Sequence, residues 1–219
     1  MNENDESRSN SRIALVTLTL LAFTAALPLW GPGLVNTRGG GDSPFLLQRV
    51  NQLVVSLRAG VFPVRWMPDA AYGLGYPFFD YYSALPYYFA AGLVIVGLSI
   101  LSAIKLVQTL GFVIAALAMY GWMRSTGRRV WAAWLAGAAY TVAPFHLVNV
   151  YVRGDSLSEF YAFAFYPLIL WGLKCALDAE SEVSLRAPWR SAVWLWPALA
   201  YAGLISSHNI SALIFSPFA

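Results

Sequence analysis

Apolar positions in this chain follow two patterns. Most fall in unbroken runs of about 17 to 25 residues, the length that crosses a bilayer core. The runs cover residues 13–31, 83–101, 102–123, 130–151, 160–177, 191–207 and 209–219. They predict an all-α fold, a polytopic transmembrane helical bundle. Residues 1–12 are polar and are expected to form a cytoplasmic tail. No small-x-small cleavage site follows the first run, which is long for a signal peptide, so an uncleaved first helix is expected. The last run, 209–219, stops without a polar flank. A spanning helix must satisfy its backbone across the whole core. The chain is therefore expected to be the N-terminal part of a longer protein, inactive on its own.

The second pattern is shorter. In "SPFLLQRVNQLVVSLRAG", Leu46, Val50, Leu53 and Leu57 recur at spacings of four, three and four, one stripe of a helix. Gln48, Arg49, Gln52 and Ser56 lie elsewhere on the wheel. Ser43 suits the cap, Pro44 the first turn and Gly60 the stop. An amphipathic helix of this kind is expected to lie on the membrane surface. The following "FPVRWMPDAAYGLGYPFFDYYSALPYY" is too rich in Gly and Pro for long regular structure, and its aromatics fit an interfacial layer.

The segment 83–101 decides the sidedness of everything after it. If it crossed, Arg124, Arg128 and Arg129 would lie outside. If it is juxtamembrane or re-entrant, they lie inside together with Lys174, Arg186 and Arg190. The positive-inside rule favours the second arrangement, which makes 32–101 an external loop. Asp42, Asp155 and His208 then share the external face.

Composition agrees with a membrane protein: 58% of residues are hydrophobic and 11% charged, against about a quarter charged in soluble domains. The net charge of +3 is divided among loops and gives no indication of nucleic-acid binding. One cysteine, Cys175, excludes an internal disulfide, and two histidines exclude a His-rich metal site.

The charged residues near the external face each have a structural and a functional explanation. Asp42 and Ser43 suit a helix N-terminus, where the dipole favours a carboxylate. In "RGDSLSEF", Ser156 and Glu159 match a capping box in which Glu159 reaches back to the Ser156 amide. That leaves Arg153 and Asp155 unexplained, and charges between membrane segments are costly. His146 is expected to be structural, and His208 to lie at an outer helix end. Arg65 beside Trp66 has a stacking role open to it. Yet Arg49, Arg58 and Arg65 lie on the side the charge rule disfavours, which points to an anionic partner such as a phosphate headgroup.

The order of parts resembles the GT-C superfamily of integral-membrane glycosyltransferases, most of all its uncharacterised bacterial multi-pass members. The similarity rests on one helix, a large first loop opening on Asp42 ("GGGDSPFLLQRVNQLVVSLRAGVFPVRW"), the run "YGLGYPFFDYYSALPYY" and an acidic second external loop. It departs from members that transfer to protein or lipid A in lacking an Asp-Glu or Asp-x-Asp pair in the first loop. The resemblance implies transfer of a sugar from a polyprenyl-phosphate donor, on the external face of a bacterial cytoplasmic membrane. It implies Asp42 as catalytic base and Asp155 as second carboxylate, orienting the acceptor or holding Mg2+ or Mn2+ with Asp42. Arg49, Arg65, Arg153, Glu159 and His208 become substrate-binding candidates, the cations facing the leaving lipid phosphate. The rivals are a transporter or flippase and a non-catalytic multi-pass scaffold.

Overall fold

The computed structural model describes residues 3–35, 43–153, 156–182 and 190–219. The described residues are helical and contain no strand; a single bridge pairs Met67 with Tyr76. In chain order the helices are α1 (Glu3–Ala26), α2 (Ser43–Arg58), α3 (Phe78–Tyr81), α4 (Leu85–Ile95), α5 (Ile100–Ser125), α6 (Val130–Thr141), α7 (Pro144–Leu147), α8 (Leu157–Glu182), α9 (Arg190–Val193), α10 (Leu195–Ser207) and α11 (Asn209–Phe215). Among the described residues, three segments, Arg8–Trp30, Ile100–Ser125 and Leu157–Ala179, are long and apolar enough to cross a membrane. A fourth, Val130–Thr141 with Pro144–Val152, qualifies as a span bent by 41°. The polar N-terminal residues, expected as a tail, continue α1 from Glu3.

Cross-helix hydrogen bonds set the directions of these helices. Lys105 Nζ donates to the Gly31 carbonyl at 2.6 Å, and Trp30 Nε1 to Thr109 Oγ1 at 3.1 Å. The end of α1 therefore lies beside the start of α5. Tyr151 donates to the Ala25 carbonyl, bringing the end of the bent α6–α7 segment to the same level, here called the upper end. From there α8 descends, and α10 returns to reach Ser83 at the top, whose hydroxyl donates to the Ile205 carbonyl at 2.8 Å. Small residues permit close packing: a Cβ at Gly111 would run into Phe160, and one at Gly203 into Phe165.

The segment 83–101 does not form one helix. α4 has 11 residues, about 16 Å of rise against a hydrocarbon core of about 30 Å. Gly97 ends it at φ 113°, with Leu98 N donating to the Leu93 carbonyl as in a Schellman cap. Ser99 then caps α5 by accepting from the Ser102 amide at 3.1 Å.

The stripe on α2 is where the spacing put it, but its partner differs from the expected one. Leu46, Val50 and Leu53 are fully buried in one core with Tyr87, Ala90 and Ala91 of α4 and Ile104 of α5. The stripe meets protein, not lipid, because α4 folds back beneath it. Gly60 at φ 79° ends α2, with Val61 N donating to the Ser56 carbonyl. Gln52, off the apolar stripe, is buried and makes two bonds to Asp69: Nε2 to Oδ2 at 2.8 Å, and Oε1 from the amide at 2.9 Å. These bonds fasten the loop between α2 and α3. Lower on the bundle, Val16, Leu20, Leu135, Leu199 and Leu213 are exposed, an apolar girdle suited to hydrocarbon.

Candidate functional site

The upper end carries a cavity of about 660 Å³ between the α2–α4 loop and the top of α10, lined among others by Arg65, Phe79, Asp80, Tyr82, Ser83 and Ser206. Aromatic rings and hydroxyls suit a ligand with apolar faces and polar edges. Arg65 pairs with Asp80 at 3.6 Å and does not stack on Trp66; its side chain is 72% exposed, so the pair contributes little to stability. The stacked guanidinium among the described residues is that of Arg49.

Arg49 projects from α2 into a box of rings. Its central carbon lies 4.4 Å from the Phe78 ring centre, 5.7 Å from Tyr82 and 5.8 Å from both Phe45 and Tyr87. One Nη donates to the Tyr87 hydroxyl at 3.0 Å. Arg49 does not line the cavity that holds Arg65. It lines a second one of about 400 Å³, with Phe45, Gln48, Ala71, Tyr76 and Phe78.

Arg153, Glu159 and His208 do come together. Residues Val148–Val152 form a π-helical turn, a widening that often occurs at functional positions. It leaves Arg153 one turn from Asn149, whose Oδ1 accepts from Arg153 Nη1 at 2.8 Å. The same nitrogen pairs with Glu159, which also accepts from the Ser156 hydroxyl at 3.2 Å. The expected capping box is absent: the Ser156 amide donates to the Asn149 carbonyl at 3.1 Å, and Glu159 turns to the guanidinium, a stronger donor. Asn149 thus bonds both Arg153 and Ser156.

His208 sits in the corner between α10 and α11. Its Nδ1 accepts the Ser211 amide at 3.2 Å and bonds the Ser211 hydroxyl at 2.6 Å, so it caps α11 in the neutral form. Burial holds its pKa below the ordinary histidine value; the nearby Glu159 opposes this shift and Arg153 adds to it. The imidazole meets Tyr82 edge-on at 6.1 Å. Tyr82 thereby links the Arg49 box, the larger cavity and the Arg153–Glu159–His208 cluster.

Asp42 and Asp155, the two carboxylates singled out by sequence, lie outside the described residues. Among the described residues no three His, Cys, Asp or Glu side chains cluster as metal ligands. His146 is fully buried, stacked between Phe160 and Phe163. Its ring nitrogens make no well-formed hydrogen bond, although the Tyr140 and Thr141 carbonyls are close. Sequence reasoning missed Asn149, Tyr82, Asp69 and Lys105. Asn149 had a signal, since it precedes Arg153 by four residues and so shares its helix face. Tyr82 had none among so many neighbouring aromatics.

No family model matches this chain, and no solved structure does. It is 24% identical over 188 residues to an uncharacterised protein of Lactococcus lactis subsp. cremoris (strain MG1363). The aligned region covers 84% of this chain and 29% of that protein, so the chain spans less than a third of its curated relative's length.

Proposed function

We propose that this chain is part of a GT-C-type membrane glycosyltransferase, which moves a sugar from a polyprenyl-phosphate donor to an acceptor outside a bacterial cytoplasmic membrane. The observation that carries the reading is the aromatic cavity of about 660 Å³ at the end of an apolar bundle, with Arg65 on its wall and Tyr82 bridging it to His208. Rings stack on sugar faces, hydroxyls of Ser83 and Ser206 bond sugar edges, and a position at the bundle end suits a substrate whose tail stays in lipid.

In the transfer, an acceptor hydroxyl attacks the anomeric carbon. The new C–O bond forms as the bond to the lipid phosphate breaks, and the phosphate leaves with the electron pair. A base must take the hydroxyl proton, the role the resemblance gives to Asp42. Arg65 and Arg153 supply positive charge toward the leaving phosphate, and His208 supplies its Nε2–H. Asp155 is assigned to orient the acceptor. Glu159 acts on Arg153, fixing the guanidinium.

The test uses the full-length protein in liposomes with a radiolabelled polyprenyl-phosphate sugar. The unmodified protein is expected to transfer label, and Asp42→Asn to lose most of that activity. Equal rates would remove Asp42 as the base. Label crossing the bilayer without transfer would replace the transferase with a flippase.

A further inference from the structure

The groove between α1 and α5, on the outer side of the bundle, takes no part in the proposed transfer. It is a cleft of about 370 Å³ lined by Leu15, Val16, Thr19, Leu20, Phe23 and Leu117. All but Thr19 are apolar. The Thr19 hydroxyl donates to the Leu15 carbonyl of its own helix at 2.8 Å, so it brings no free donor into the cleft. From Leu15 to Phe23 the cleft runs about 12 Å along α1. A helix with its side chains is about 10–12 Å across, too broad to enter a cleft between two neighbouring helices. A hydrocarbon chain is narrow enough.

The same two helix faces carry cations at the lower end. Along α1, Arg8, Arg12, Leu15, Thr19 and Phe23 recur at spacings of four, three, four and four, one stripe of the helix. On α5, Arg124 follows Leu117 by seven residues, two turns, and so shares its face. The helices run in opposite directions, since Trp30 at the end of the α1 segment bonds Thr109 near the start of α5. Descending from the cleft therefore means counting back along α1 and forward along α5. From the middle of the cleft, Arg12 lies about 8 Å lower and Arg8 about 14 Å lower. From Leu117, Arg124 lies about 10 Å lower. All three arginines are exposed. Arg124 Nη1 donates to the Arg128 carbonyl at 2.6 Å, which ties the side chain to the end of α5 and uses one of its five N–H groups. Glu6, two residues before Arg8, lies on the other side of α1.

Apolar surface within the bilayer and guanidinium groups at its edge, on two adjoining helices, match a membrane lipid with an anionic headgroup. We propose that the α1–α5 groove binds an anionic diacyl phospholipid of the lower leaflet. One acyl chain lies against Leu15, Leu20, Phe23 and Leu117, and the phosphate sits between Arg12 and Arg124. Arginine holds phosphate oxygens through paired N–H groups, and basic pockets between membrane helices favour anionic headgroups. A zwitterionic headgroup brings its own cation to the same place and is disfavoured. The lipid undergoes no reaction and lies at the end opposite Tyr82 and its cavity. It joins α1 to α5 at the lower end, as Lys105 and Trp30 join them at the upper.

The experiment counts bound lipid by native mass spectrometry, with the full-length protein in a mild detergent. The probes are dioleoyl phosphatidylglycerol and dioleoyl phosphatidylcholine, which differ in the headgroup alone. One phosphatidylglycerol is expected to be held at least about tenfold more tightly than phosphatidylcholine. Arg12→Gln and Arg124→Gln are each expected to weaken it about fivefold. Arg129→Gln removes an exposed charge at the same end, but at the start of α6, which meets α1 through Thr17 on another face. It is expected to change binding less than about twofold. Thr19→Trp fills the cleft and keeps every arginine, and is expected to remove the tightly held lipid. Equal retention of the two lipids, an equal loss with Arg129→Gln, or full binding by Thr19→Trp overturns the site. So does a dimer that Thr19→Trp dissociates, which would give the groove to a second copy of the chain. None of these readings depends on sugar transfer.

Discussion

The ammonium of Lys105 lies 2.6 Å from the carbonyl oxygen of Gly31, joining the start of one long apolar helix to the end of another. Lys105 is buried, and among the described residues it has no carboxylate within 4.0 Å. What offsets the charge is the carbonyl-rich C-terminal end of the α1 segment, where partial negative charge collects.

Lys105→Met keeps the apolar volume and removes the donor. It is expected to leave the Gly31 carbonyl unsatisfied and cost about 1–3 kcal/mol. Thermal unfolding in a mild detergent measures this. An unchanged or higher midpoint would show that the ammonium contributes nothing at that helix end.

Sidedness is the next expectation. With α4 folded back, Tyr72 and Thr126 lie toward opposite ends of the bundle. After replacement of Cys175, single cysteines at the two positions are expected to differ in labelling by an impermeant maleimide on intact cells. Tyr72→Cys should react, and Thr126→Cys should react only after permeabilisation. Equal labelling of both in intact cells would contradict the arrangement.

Gln52→Leu breaks both bonds to Asp69 while keeping the volume. Asp69 then loses two partners, at an expected cost of about 1–3 kcal/mol. The loop between α2 and α3 should become the first site of cleavage in limited proteolysis. A digestion pattern identical to that of the unmodified protein would show that the loop is held by other means.

His208 gives a pH dependence. Its pKa is lowered in the folded protein, so the unfolded chain binds the proton more readily. The stability it contributes is present above the ordinary histidine value of about 6.5 and declines as pH falls toward the depressed folded value. Protonation at Nδ1 also removes the acceptor for the Ser211 amide. His208→Asn keeps a capping acceptor without titrating and should lose this part of the slope between pH 7.5 and 5. A slope unchanged in that variant would assign the dependence to another group.

Long-range organisation was legible in the sequence wherever local chemistry determined it. The α2 stripe, its glycine stop and the lengths of the long spans follow from spacing. The break between α4 and α5 was also written locally, as Gly97 followed by Ser99, although charge placement was the argument that favoured it. What could not be read was the choice of partner. The burial of Gln52 could not be read because periodicity reports a face and not what covers it, and Asp69 arrives from a loop with no period. Glu159 matched a capping pattern, but Arg153 lay within reach and won the carboxylate. The Tyr82 junction depends on three segments meeting in space. Pairwise spacing carries no trace of it.

The corner at Gly97–Ser99 acts as a parity bit for the chain. One helix turned back, instead of carried through, reverses the direction of every helix that follows relative to α1. A change that carried α4 across the whole core by itself, with α5 returning, would do more than disturb a loop. It would send Arg153, Glu159 and His208 to the opposite end from Arg49 and Arg65, dividing one site between two compartments.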